Sequence, residues 1–359
     1  MKIGILTLPL SRNYGGILQA FALHRYLTDL GHNVHLIDRR LPREGVSLKE
    51  KMSDLLYEHI IETNTRRFAK RKISPRTQPI YDDLSLKSAV KDFDAVIVGS
   101  DQVWRLDYSG PIALNLFLDF VENDEVKRIS YAASFGLETW NHSKKITEKI
   151  GKLLKRFHAV SVREDAAVKL CKSTFDVNSE QTLDPTLLLH KDDYIKLIDE
   201  KKSQSQDKVL TTYILDESAE KMNIIEQVAQ RKSLTPRSIN VKERFTINKF
   251  WKIADCVYPD VSNWLNGFKV ANFVITDSFH GVVFSIIFKK QFIAIGNIDR
   301  GLARFKSILN LFGLSNRLIF KSSDLSEDIL SKEIDFDKVH NILYSKRREA
   351  SLYLEKSLE

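Results

Sequence analysis

The sequence predicts an α/β protein made of two units, each a mainly parallel sheet covered by helices. Short apolar runs recur along the chain, each followed by a helical or turn segment, the alternation that builds such sheets. The corners where a run ends and a helix begins carry Gly, Ser, Asp or Asn, as in Asn13-Tyr14-Gly15-Gly16, Gly99-Ser100-Asp101 and Thr276-Asp277-Ser278. A length of 359 residues leaves room for about two domains at roughly 100–200 residues each.

In chain order, Lys2 to Leu8 reads as the first strand. Ala20, Leu23, Leu27 and Leu30 then recur at helical spacing, with Gly31 placed as a C-terminal cap. Asn33 to Ile37 gives a second strand, ending at Asp38 and completing a βαβ unit. A basic helical stretch, Arg66 to Lys72, precedes Pro75 and Pro79. Further strands are expected at Ala95 to Val98, Ile129 to Ala133 and Ala159 to Val162. The pattern loosens around Ser173 to Pro185, where a domain boundary is expected.

The second half repeats the logic. Val209 to Leu215 is a strand and Ala219 to Arg231 a helix; Trp264 to Ala271 is a short helix leading into the strand Phe273 to Thr276. Val282 to Phe288 reads as helix, Phe292 to Ile295 as strand, and Leu302 to Phe312 as a helix stopped by Gly313. The charged helix from Asp337 onward is expected to pack back on the first domain. The domains expected are therefore 1–175, 176–335 and a C-terminal helix, 336–359. Two such units facing one another would leave a cleft, and open α/β sheets bind ligands beyond their strand ends.

A composition of 43% hydrophobic and 28% charged residues is that of an ordinary globular protein. The net charge of +8 favours anionic partners: phosphorylated metabolites, acidic glycans, an anionic membrane surface or nucleic acid. No basic-aromatic module supports nucleic acid. Cys171 and Cys256 lie far apart without metal spacing, which suits buried thiols in a reducing compartment. The first apolar stretch is too short for a signal peptide, and no segment approaches the ~20 apolar residues that span a bilayer. These features predict a cytoplasmic protein.

Three corners carry candidate chemistry. In SRNYGGILQA, Ser11 to Ala20, glycines at a helix start let another molecule approach the amides, and the helix dipole favours anions there. A tight packing corner would use the same residues, and both readings stay open. In FVITDSFHGVVFSIIF, Phe273 to Phe288, Asp277 or Ser278 can cap the new helix, while His280 could move protons near neutral pH. In VGSDQVWR, Val98 to Arg105, Asp101 and Gln102 can bond hydroxyls and Trp104 offers a face for a sugar ring; a capped helix with a packed Trp is the alternative. Arg163 follows a strand in SVRED, and Arg300 and Arg304 share a face if helical; guanidinium groups pair with carboxylates and phosphates. Asp184 and Pro185 in LDPTLLL read as a turn. No GxGxxG or Walker A sequence is present, and no His/Cys cluster has metal spacing, so no cofactor and no obligatory metal are expected.

Taken together and in this order, NYGGILQA, GSDQVW, SVRED, LDPTLLL and TDSFHGVVFSIIF resemble the polysaccharide pyruvyl transferase family, from the first strand to about Gly313. The resemblance implies two Rossmann-like domains around a cleft, similar to B-type glycosyltransferases. It also implies transfer of the carboxyvinyl unit of phosphoenolpyruvate to sugar hydroxyls, giving a pyruvate ketal; galactose is one acceptor used in the family. Arg163 matches an arginine that the family places near the donor. His280 matches the histidine of a family Arg-x-His triplet, in which Ser278 replaces the arginine.

The expected assignment follows. His280 is the acid/base, with Asp277 as its orienter; Arg163, Ser278, Arg300 and Arg304 hold the donor; and Asn13, Tyr14, Gly15, Gly16, Gln19, Asp101, Gln102 and Trp104 hold the acceptor. The acceptor could be lipid-diphosphate-linked, with Arg66 to Lys72 meeting the inner membrane face. The alternatives are a sugar-nucleotide glycosyltransferase and a non-catalytic glycan-binding protein on the same fold.

Overall fold

The computed structural model describes residues 1–42, 53, 55–199, 208–243, 245, 247–297 and 300–359. The chain divides into two compact units. Residues 1–54, 66–188 and 344–359 form the first, and 55–65 with 189–343 form the second.

The sheet of the first unit is six-stranded and parallel: β1 (Lys2–Leu6), β2 (Asn33–Leu36), β3 (Ala95–Val98), β4 (Lys127–Ala133), β5 (Ala159–Val162) and β6 (Glu180–Gln181), in the order β2-β1-β3-β4-β5-β6. Successive side chains of a strand point to opposite faces, and here both faces are covered. Ala95 and Ile97 join Ile3, Ile5 and Tyr131 in one core, whereas Val96 and Val98 join Leu6 and Val162 in another. The first core takes Leu23 and Leu27 from the helix Tyr14–Asp29, and Ala350, Tyr353, Leu354 and Leu358 from the C-terminal helix Phe336–Leu358. The second takes Ile150 and Leu154 from the helix Lys144–Leu154, and Leu170, Cys171 and Phe175 from the helix Asp165–Phe175.

The second unit holds β7 (Val209–Tyr213), β8 (Thr235–Ser238), β9 (Phe273–Thr276), β10 (Gln291–Ile295) and β11 (Leu318–Ile319), parallel and in the order β11-β10-β9-β7-β8. Leu210, Phe273, Ile275, Ile293 and Ile295 pack on Ile224, Ile225 and Val228 of the helix Ala219–Lys232. An aromatic cluster forms another core: Trp264 lies edge-on to Tyr213, Phe268 and Phe284, with ring centroids 5.2, 4.8 and 4.9 Å away.

Both sheets reverse direction next to their first strand. The chain leaves β1 for β2 on one side and returns to β3 on the other; it does the same from β7 to β8 and back to β9. Such a switch point splays the two following loops apart and opens a crevice at the carboxyl ends of the strands. The loops after β1 and β3 in one unit, and after β7 and β9 in the other, are therefore where ligands belong.

The first unit extends further than the boundary expected near residue 175. β6 still pairs with β5, so the division falls after Leu188. The second unit also claims 55–65, where Tyr258 N–H donates to the Ile61 carbonyl (2.9 Å) and Asn64 Nδ2 to the Tyr258 carbonyl (2.9 Å). Among the described residues no helix is long and apolar enough to cross a membrane.

Candidate active site

In the first unit the switch-point crevice is built around a buried ion cluster. Arg163, the first residue after β5, sets Nη1 2.7 Å from Asp184 Oδ2 and Nη2 3.8 Å from Asp101 Oδ1. Their side chains are 2%, 0% and 6% exposed, so these charges are held by one another and by hydrogen bonds, not by water. Ser100 Oγ donates to Asp184 Oδ2 (3.1 Å), and the Thr186 N–H and hydroxyl donate to Asp184 Oδ1 (3.0 and 2.7 Å). Asn13 Nδ2 donates to Asp101 Oδ2 (2.8 Å), tying the start of the first helix to the end of β3. Gly16 leaves room for this bond, since a Cβ there would lie 3.1 Å from Asn13 Nδ2 and 3.2 Å from Asp101 Oδ2. Glu164 Oε1 accepts from Ser134 Oγ (2.9 Å) and the Gly136 N–H (3.0 Å), fixing the loop after β4.

In the second unit, β9 ends at Thr276 and the helix Phe279–Ile287 begins two residues later, with Ser278 as its N-cap residue. The corner is tight: Thr276 Oγ1 donates to the Tyr213 carbonyl (2.8 Å) and accepts from the Ser278 N–H (3.0 Å), and a Cβ on Gly281 would lie 2.0 Å from Thr276 Oγ1. Asp277 reaches across the switch point. Its Oδ1 accepts from the Leu215 N–H (2.6 Å), and its Oδ2 from the Asp216 N–H (3.1 Å) and Lys221 Nζ (2.7 Å). Asp216, so placed, accepts from Arg300 Nε, from Arg300 Nη2 (2.9 Å) and from Asn297 Nδ2 (2.9 Å). Arg304 bonds the Arg300 carbonyl and lies over the Phe279 ring, 5.7 Å from its centroid. His280, 4% exposed, stands edge-on to the same ring at 5.2 Å. Burial, and then the nearby Asp277 charge, push the Tyr213 phenol well above its usual pKa, opposed by Arg300 and by a hydrogen bond with Ser278.

The predicted residues thus separate into two clusters, Asn13, Asp101 and Arg163 in one unit and Asp277, Ser278, His280, Arg300 and Arg304 in the other. Several expectations change. Trp104 offers no face to a sugar: it is fully buried, stacked on Phe117 at 5.3 Å, with Nε1 donating to the Leu116 carbonyl (2.9 Å). Gln19 is also fully buried and donates to Thr7 Oγ1 (3.0 Å) and the Gly16 carbonyl (2.9 Å), which makes it a brace between β1 and its helix. Tyr14 is buried too. Gln102 packs against Gly136 and accepts from Arg105 Nη1 (3.1 Å). Asp277 spends its oxygens on the β7 loop and Lys221, so it orders that loop instead of orienting His280.

Asp216, Lys221, Asn297 and Tyr213 are not singled out by the sequence. Asp216 had a signal: it directly follows the predicted strand Val209 to Leu215. Among the described residues no group of three or more His, Cys, Asp or Glu is placed to hold a metal ion.

Two parallel sheets with a crevice at each switch point define a GT-B-like α/β protein, and solved structures share that fold. A glycosyltransferase from Rickettsia africae is similar at 13% identity and TM-score 0.51, over 99% of this chain and 97% of that one. UDP-N-acetylglucosamine 2-epimerases from Rickettsia bellii (11%, TM-score 0.53, 99% and 94%) and from Neisseria meningitidis bound to UDP-GlcNAc (13%, TM-score 0.50, 98% and 94%) are similar as well. A search of the curated proteins found no match. The chain belongs to the polysaccharide pyruvyl transferase family, whose model matches residues 13–300. Membership makes it an enzyme of polysaccharide biosynthesis that transfers a pyruvyl group from phosphoenolpyruvate to a polysaccharide acceptor.

Proposed function

We propose that the enzyme joins the carboxyvinyl carbon of phosphoenolpyruvate to two hydroxyls of one sugar, closing a pyruvate ketal on a polysaccharide or its lipid-linked precursor. The supporting observation is the cluster at the second switch point, where an imidazole and two guanidinium groups gather at the start of one helix. Protonation of the donor methylene gives a methyl group and an oxocarbenium-like carbon. A sugar hydroxyl adds and loses its proton, phosphate leaves, and the second hydroxyl adds and loses its own. This chemistry asks for a proton carrier and for fixed positive charge near a carboxylate and a phosphate. His280 is assigned the proton transfer. Ser278, Arg300, Arg304 and the amides at the start of the helix Phe279–Ile287 are assigned the anion. Asp277 and Asp216 hold the loop and Arg300 in place. The acceptor is assigned to the first unit, at Asn13 and Asp101.

His280→Ala should lower turnover about 100-fold or more, read as phosphate release from phosphoenolpyruvate with 4-nitrophenyl β-galactoside. A folded variant with near-normal turnover removes that role. The Neisseria meningitidis structure bound to UDP-GlcNAc keeps a second reading in view, a sugar-nucleotide glycosyltransferase. Thermal-shift measurements separate the two: stabilisation by phosphoenolpyruvate and none by UDP-GlcNAc is expected, and the reverse pattern would favour the glycosyltransferase.

The lipid-linked precursor is supported by the helix Thr63–Lys72, where Arg67, Lys70, Arg71 and Lys72 are exposed. Cations at a helix C-terminus also suit its dipole. Each is worth ~1 kcal/mol at an anionic membrane surface. Sedimentation with phosphatidylglycerol vesicles, lost in high salt and absent with phosphatidylcholine, is expected; equal behaviour towards both lipids would remove the membrane contact.

A further inference from the structure

The first unit carries an open cavity of about 520 Å³ at the amino ends of β4, β5 and β6. Sites for small ligands run from roughly 300 to 1,000 Å³. Lys127, His158 and Glu180 line it from the sheet, and Leu352, Tyr353 and Lys356 from the helix Phe336–Leu358. That helix wall is fixed in place. Tyr353 Oη donates to the Ser130 carbonyl (2.8 Å), and Arg347 Nε to the Leu187 carbonyl (2.5 Å). β5 runs from Ala159, at the cavity, to Arg163, at the crevice, about 13 Å of parallel strand. The cavity and the switch-point crevice are therefore separate.

The polar groups of the cavity are left open towards it. Among the described residues, the Lys127 and Lys356 ammonium groups and the Glu180 carboxylate have neither a hydrogen bond nor an ion pair. His158 Nδ1 accepts from the Arg128 N–H (3.0 Å), so the neutral ring carries its hydrogen on Nε2, as a donor. Glu349, also on the wall, is already matched by Lys346 Nζ at 2.7 Å. Two cations thus stand open against one anion. Inorganic phosphate would satisfy the ammonium groups but give Glu180 no donor beyond its own proton. A neutral sugar would donate to Glu180 and leave both cations without a charged acceptor. A phosphate on a hydroxylated ring satisfies both, since charge-assisted bonds hold the phosphate and a hydroxyl donates to the carboxylate. Leu352, 45% exposed, offers apolar surface to the ring.

We propose that this cavity is a second binding site, which takes the phosphate ester of a monosaccharide. Lys127, Lys356 and His158 Nε2 hold the phosphate, Glu180 accepts from the hydroxyls, and the ring lies on Leu352. The site performs no chemical step, and it stands whether or not the pyruvyl-transfer reading does.

Isothermal titration of the full chain with glucose 6-phosphate, glucose 1-phosphate, glucose and inorganic phosphate tests it. At least one ester should bind about 10-fold tighter than inorganic phosphate, and glucose should bind more weakly than that ester. Lys127→Met and Lys356→Met should each weaken the ester about 10-fold, with the Tm of the free protein unchanged. Glu180→Ala should bring the ester down to the affinity of inorganic phosphate and leave phosphate itself bound no more weakly. Arg300→Ala, in the second unit, should bind the ester as the parent does. No binding of either ester overturns the proposal. So does an ester affinity that both lysine variants leave unchanged, or one that Arg300→Ala abolishes, which would put the anion in the second unit. Inorganic phosphate bound as tightly as the esters would remove the sugar from the assignment.

Discussion

Asp277 is a fully buried carboxylate whose charge is made tolerable by Lys221 and two backbone N–H groups. Removing one partner of such a pair costs more than the pair contributes, because the charge left behind stays out of water. Lys221→Met should therefore destabilise the protein by ~3 kcal/mol, at the lower end for a buried pair because Lys221 is itself 13% exposed. Urea unfolding followed by intrinsic fluorescence would read the loss, and an unchanged midpoint would show that water already solvates Asp277. The pair also marks the limit of what sequence can say about a single side chain. The corner at 276–281 is legible from its strand end, its cap residue and its glycine. The partner is not, because Lys221 lies in another helix and meets Asp277 only once β7 and β9 are side by side. Trp104 errs the other way. Three residues after Asp101 it looks like part of the same site, but its N–H donates to the Ser134 carbonyl (3.1 Å) and its indole turns into the core.

At the scale of elements, the helix Tyr14–Asp29 carries a pH sensitivity of its own. Burial holds the His24 imidazole below the usual histidine value of 6.5, against a hydrogen bond with the Val34 backbone that raises it, and with smaller lowering effects from His35 and Arg76. Above pH 6.5 both folded and unfolded chains carry this group neutral. As pH falls below 6.5 the unfolded chain takes up the proton first, so stability drops until the folded-state value is passed. His24→Gln should give a shallower fall in Tm between about pH 7 and pH 5 than the parent. A residual slope is expected, because His32, His35 and His158 are lowered by burial in the same direction. Identical slopes would mean that His24 takes up its proton over the same pH range in the folded and unfolded chains. Elements differ in legibility for a related reason. β3 is apolar on both faces, β9 is apolar but for its last residue Thr276, and both stand where the sequence places them, whereas β6, β8 and β11 lie at sheet edges. Glu180–Gln181 and Thr235–Ser238 are exposed throughout, and Pro236 within β8 would argue against any central strand. An apolar run reports double-sided burial, and β6 and β8 have none to report.

At the scale of the whole molecule, the first unit is completed by residues far away in sequence. Tyr353, Leu354 and Leu358 enter the core formed by Ile3, Ile5 and Tyr131; Tyr353 Oη donates to the Ser130 carbonyl (2.8 Å), and Tyr26 Oη to Ser351 Oγ (2.8 Å). The amphipathic pattern of the tail announces a helix that must be covered, but only the unpaired face of the β1–β4 sheet tells which core covers it. Burying each such side chain is worth ~1.5–3 kcal/mol, and a domain is stable by only ~5–15 kcal/mol in all. A chain ending at Leu343 should then lose most of the stability of the first unit while the second keeps its aromatic and aliphatic cores. Hydrogen exchange distinguishes this from a general loosening: amides of β1 and β4 should exchange rapidly in the shortened chain, and those of β9 and β10 at the parent rate. The single change Leu354→Ala should act in the same direction, at ~2–5 kcal/mol for a fully buried leucine. Because Asp101, assigned to the acceptor, follows β3 of that same sheet and Asn13 precedes a helix packed on it, the shortened chain should also lose turnover with the galactoside before it loses stabilisation by phosphoenolpyruvate. Loss of both together would mean that the donor too depends on the first sheet.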